Sequence, residues 1–166
     1  MMISTSAGLN TPRVASPRVR ISVIVITTDG YRWQEVFNGI DTSIVKIKRF
    51  HHGDSARLIQ QYYAPTLKER REKLMPFFWN QIAKEGMLFG NRFVDNKVDV
   101  SNPHWFSYPG YSEILTGQVD TAINTNEYQP NPNTNFFEYL NSLPFYKNKV
   151  IAFGAWDAFK RILNEK

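Results

Sequence analysis

Ile21-Ser22-Val23-Ile24-Val25-Ile26-Thr27-Thr28-Asp29-Gly30 is the stretch on which the fold reading turns. Its residues are β-branched and nearly all apolar. Such a run reads as a strand buried on both faces, as in the interior of a parallel sheet. It ends in Asp29-Gly30, so a carboxylate stands at the C-terminal edge of the strand, where open α/β sheets bind their ligands. Asp-Gly is equally an ordinary turn pair, and taken alone it says no more than that.

A second stretch lies downstream, Phe106-Ser107-Tyr108-Pro109-Gly110-Tyr111-Ser112-Glu113-Ile114-Leu115-Thr116-Gly117. Ser107 closes an aromatic run and opens a helix. Pro109 falls in the first turn, where a missing N–H costs nothing, and Gly117 stands where a left-handed residue would end the helix. Tyr108, Tyr111 and Leu115 recur at three and four residues and give the helix one apolar face. A serine at a helix N-terminus meets unpaired backbone N–H groups and the positive end of the dipole, a setting that suits a phosphate. It is also an ordinary N-cap.

Together the two stretches resemble the alkaline phosphatase superfamily, and within it the nucleotide pyrophosphatase/phosphodiesterase-like branch. The similarity is carried by Thr28-Asp29-Gly30-Tyr31-Arg32-Trp33-Gln34-Glu35-Val36-Phe37, by Leu74-Met75-Pro76-Phe77-Phe78-Trp79, and by Phe106 to Gly117. It runs from about Val23 to Leu163. The resemblance implies an α/β fold, an alkaline-phosphatase-like three-layer sandwich with a mostly parallel sheet, incomplete in this chain. By the same resemblance Asp29 is a metal ligand and Ser107 is the nucleophile, also bound to metal. Asn126, with Asn124 as the competitor, donates its amide to the transferred phosphoryl group.

The implied reaction is metal-dependent hydrolysis of a phosphate ester, of phosphodiesterase or phosphatase type, through a covalent phosphoserine. Two divalent metals, zinc by resemblance, would activate the serine and stabilise the leaving oxygen. Asp29 and Ser107 are two ligands, and two do not close a zinc site. The family's other ligands belong to a C-terminal half, so the chain is expected to be the N-terminal portion of the catalytic domain, inactive by itself. Sulfatases of the same superfamily carry Cys or Ser-x-Pro-x-Arg and paired aspartates at the strand end. Tyr111 occupies the Arg position and Thr28 precedes Asp29, which favours phosphate over sulfate esters. A non-catalytic module binding an anion at Ser107 is the alternative of another class.

Length and composition agree with a globular domain. The chain has 166 residues, 42% hydrophobic and 14% aromatic. The net charge of +5 suits anionic partners, among which a small phosphate ester is expected and nucleic acid is not, because the basic residues are scattered apart from Lys46, Lys48 and Arg49. There is no cysteine, hence no thiolate metal site, and the compartment stays open. The family is often periplasmic or extracellular. Residues 1–20 hold Arg13, Arg18 and Arg20 and no acid, and lack the apolar centre of a secretory signal, so they read as a disordered or targeting-like tail before a domain at 21–166. The longest apolar run, Ile21 to Ile26, is far too short to span a membrane. His51-His52 point apart on any regular element and are not expected to share a metal.

Further strands are expected at Met87–Val94 and Lys149–Phe153. Helices are expected at Thr66–Lys73, at Phe77–Glu85 between Pro76 and Gly86, at Tyr108–Thr116, from a Thr134 cap to Leu143, and at Asp157–Asn164.

Overall fold

The computed structural model describes residues 22–51 and 53–165. The N-terminal tail, Ile21 and His52 lie outside them. The helices are α1 (Trp33–Asn38), α2 (Thr42–Val45), α3 (Lys48–His51), α4 (Ser55–Tyr62), α5 (Leu67–Leu74), α6 (Ala83–Glu85), α7 (Ser107–Thr116), α8 (Phe136–Ser142) and α9 (Phe159–Ile162). A π-helical turn at Phe78–Ile82 leads into α6, and a 3-10 turn covers Arg92–Val94.

The expected α/β sandwich is not what the chain builds: among the described residues there is no strand and no sheet. A strand exists only where a second segment accepts its backbone hydrogen bonds. Of the Ile21–Thr28 run, residues 22–28 are described; they are neither helical nor paired, and Val23, Ile24 and Ile26 are each 82% exposed. Met87–Val94 fails as a strand for a local reason. Asn91 accepts from the Phe93 N–H through its side chain, and its carbonyl accepts from Val94 and Asn96, folding the segment into a turn that ends with Asp95 at φ 53°. Lys149–Phe153 follows Asn148 at φ 61° and leaves Phe153 95% exposed.

The helices fall into two groups, α1–α6 and α7–α9, and no helix of one packs on a helix of the other. In the first group α1 lies on α5. Gly39 ends α1 at φ 75°, its N–H donating to Glu35 O. A Cβ on Gly39 would meet the Arg70 carbonyl carbon at 2.3 Å, so the two helices touch backbone to backbone there. Phe37 and Trp79 are buried edge to face at 5.8 Å, and Trp79 Nε1 donates to Val36 O at 3.0 Å. The Arg71 guanidinium covers the Trp79 ring at 3.9 Å. Fully burying side chains of this kind contributes roughly 1.5–3 kcal/mol each. Thr66 starts α5 with a reciprocal capping box to Glu69.

In the second group Tyr108 and Leu115 of α7 pack with Ile123, Ala158 and Ile162, ringed by Tyr111, Tyr128, Phe136 and Phe159. The sequence reading put the cap of α8 at Thr134; it is Asn135, buried, with a capping box to Glu138.

Two glycines at the same φ sign separate conformational strain from steric clash. Gly117 has φ 73° and nothing within 4 Å of a built Cβ. Gly117→Ala is expected to cost about 1–2 kcal/mol, the left-handed penalty alone. Gly39→Ala adds the clash with Arg70 and should cost more than about 3 kcal/mol. Denaturant unfolding of both variants measures the difference, and equal losses would contradict the close approach of α1 and α5.

Candidate functional site

The start of α7 is the site that the sequence singles out. Phe106 occupies the N-cap with an extended backbone and no side-chain oxygen to offer. Ser107 and Tyr108 are therefore left with uncapped N–H groups, Pro109 has none, and Gly110 donates back to Phe106 O at 3.3 Å. The Tyr108 N–H is satisfied from a distance in sequence, donating to Asn126 Oδ1 at 3.0 Å. Because a backbone N–H can only donate, the amide oxygen of Asn126 must face it. The Asn126 NH₂ is then left at the first turn of α7, with no acceptor among the described residues. Ser107, half-buried, likewise has no side-chain partner among them.

The loop that delivers Asn126 is held at several points. Arg161 of α9 donates to Asn126 O at 3.2 Å, and the Tyr108 hydroxyl donates to Gln129 O at 2.7 Å. Asn131, buried, donates to Ser112 Oγ at 2.9 Å and receives Asn164 on its carbonyl. Ile123, fully buried, plugs the loop into the core. Burial pushes the Tyr108 phenol up to about 12, against a smaller opposing pull from Arg161. Asn124, two residues earlier, is exposed.

On the other side, the segment before Ser107 is clamped by Glu113. Its carboxylate accepts from Ser101 N at 2.6 Å, and from Asn102 N at 3.0 Å and Nδ2 at 2.7 Å. Asn102 Oδ1 in turn accepts from His104 N, while the His104 ring reaches Thr121 O at 3.1 Å. Burial pushes the Glu113 carboxyl up, and these donors more than offset it, holding it below its ordinary value. Neither Glu113 nor Arg161 was visible as a site residue in the sequence. Each acts through partners 11 to 35 residues away, and no local pattern marks that.

Asp29 is placed otherwise. It lies exposed in the turn at 29–30, and no hydrogen bond or ion pair among the described residues ties it to Ser107. No group of three or more His, Asp or Glu able to hold a metal occurs among the described residues. His51 Nδ1 accepts from Gly53 N, and His104 Nε2 is engaged with Thr121 O. The structure thus ties Asn126 to the residue after Ser107, and no hydrogen bond or ion pair among the described residues links Asp29 to either. Comparison with protein-family models, curated proteins and solved structures gives no match.

The cap and the amide donor of Asn126 can be separated by substitution. Asn126→Ala removes the acceptor for Tyr108 N–H and should destabilise the chain by about 1 kcal/mol; Asn126→Asp keeps an oxygen there and should fold at least as stably at neutral pH. Thermal unfolding of the two variants checks this order. The Glu113 clamp carries a pH signature. A folded-state value below the ordinary one means that its stabilisation is present above the ordinary carboxylate range and is lost as pH falls through the folded value. The stability gap between wild type and Glu113→Gln should therefore be open at neutral pH and close in acid, as read from denaturant midpoints across pH.

Proposed function

We propose that Ser107 and Asn126 form the phosphoryl-binding part of a serine-dependent phosphoester hydrolase site. The single observation that carries this reading is the orientation of Asn126. Its oxygen is taken by the N–H of Tyr108, the residue after Ser107 in the first turn of α7, and its amide has no acceptor among the described residues. The Asn126 amide, the Ser107 N–H and the Ser107 hydroxyl can each donate, and the dipole of α7 adds positive potential, so an anionic tetrahedral group is the fitting ligand. The sequence resemblance supplies the reaction class. In that reaction Ser107 Oγ would lose its proton and bond to phosphorus as the ester P–O bond breaks, the leaving oxygen keeping the electron pair and taking up a proton to depart as the alcohol.

A serine needs an activator for this. No base among the described residues is hydrogen-bonded to Ser107, and Asp29 with Ser107 gives two oxygen donors where a catalytic zinc takes three protein ligands. The donor set therefore does not fit the implied zinc pair, and the role assigned to these residues is binding and orientation. That same feature favours a second reading, anion binding without turnover.

The test is p-nitrophenyl phosphate, with and without zinc, followed both by amide NMR and by nitrophenolate release. Ligand should shift the Ser107 amide and the Asn126 side-chain amide. Asn126→Asp, which replaces the donor by a carboxylate oxygen, should abolish those shifts while remaining folded. Release is expected not to exceed that of zinc alone. Release that depends on Ser107 would show that the chain obtains an activator, and would exclude the second reading. Release that survives Ser107→Ala, or ligand shifts confined to other residues, would overturn the proposal.

A further inference from the structure

We infer that the turn at residues 46–50 docks this protein on a bilayer surface that carries anionic lipid. The inference is independent of Ser107 and rests on another part of the molecule. Val45, buried at the end of α2, fixes the turn to the body of the protein. Beyond it Lys46, Lys48 and Arg49 are exposed, and none takes part in an ion pair among the described residues. The carboxylates that flank the turn in sequence are engaged elsewhere. Asp41 accepts from Ser43 Oγ at 2.6 Å and lies 3.8 Å from Arg32; Asp54 lies 3.5 Å from Arg57. The turn thus presents concentrated positive charge with no counter-charge of its own.

Between the cations stand two apolar side chains that the fold leaves outside. Ile47 is 45% exposed and Phe50 50%. Phe50 N donates to Ile47 O at 2.9 Å, so the two are three residues apart on one helical turn, where side chains share a face. An anionic headgroup layer meets both demands, offering phosphates and carboxylates to the cations and an acyl boundary just beneath them to Ile47 and Phe50. The stems of Lys46 and Lys48 can lie along that boundary with their heads in the headgroups. Nucleic acid fits less well. The Arg49 guanidinium sits 4.6 Å over the Phe50 ring, on a face that a base would use for stacking, and Ile47 would find no place on a phosphate backbone.

The experiment is vesicle flotation of the full chain, using phosphatidylcholine with and without phosphatidylserine, at low and high salt. Binding is expected only with phosphatidylserine and should fall with salt. Replacing Lys46, Lys48 and Arg49 together by alanine should lower the partition coefficient roughly a hundredfold. Replacing Ile47 and Phe50 by alanine should lower it as well and leave the salt dependence. Equal binding to pure phosphatidylcholine would overturn the inference, since the exposed apolar segments elsewhere would then suffice. So would unchanged binding by both variants, or retention on a single-stranded oligonucleotide with none on vesicles. The wild-type comparison of the two lipid mixtures needs no variant, so it decides even if a substituted chain fails to fold.

Discussion

The backbone N–H of Tyr108 has no partner in its own helix, and Asn126 supplies one from 18 residues downstream. That bond ties the start of α7 to the loop that follows the helix. With Phe106 at the N-cap, α7 begins without a local side-chain cap, and the 118–133 loop supplies one through Asn126. The loop in turn is held by Ile123 in the core, Tyr108 on Gln129, and Arg161 on the Asn126 carbonyl. Burial of the Tyr108 ring and capping of the Tyr108 amide are thus parts of one event. A site built this way is held by tertiary structure, which restricts where the Asn126 amide can point.

How far this was legible varies with the range of the forces involved. The later helices announced themselves through local chemistry, whereas no helix was expected at α1 to α4. Thr66 and Glu69 make the capping box of α5, Pro76 and Gly86 bracket the helical run 76–85, and Gly117 ends α7 in the left-handed region. Asn126 was named from a family pattern, and geometry alone says what its two ends do. The sheet is where reading by pattern failed. β-branching in Val23–Ile26 states a preference for extended backbone and says nothing of a neighbour to receive its hydrogen bonds. At Asn91–Asn96 turn chemistry competes directly with strand propensity and prevails, because an Asn side chain satisfies the local N–H at once.

The N-terminal group obeys a different constraint, the close approach of two helix backbones at Gly39 and Arg70. That contact lets Phe37 and Trp79 meet and leaves Arg71 flat on the indole. The segment that carries Asp29 leads into this group. Its helices pack among themselves, and Asp29, which precedes α1, stays in an exposed turn. The positive turn at 46–50 belongs to the same group, so the two surfaces proposed to meet anions are carried by separately packed sets of helices.

The most direct test of the central interaction is a scalar coupling through the Tyr108 hydrogen bond, recorded by NMR on uniformly labelled protein. Coupling from the Tyr108 amide nitrogen to Cγ of Asn126, with slow exchange of that amide, is predicted. Coupling to Cγ of Asn124, or rapid exchange of the Tyr108 amide with no coupling, would contradict the capped start of α7 and the site built on it.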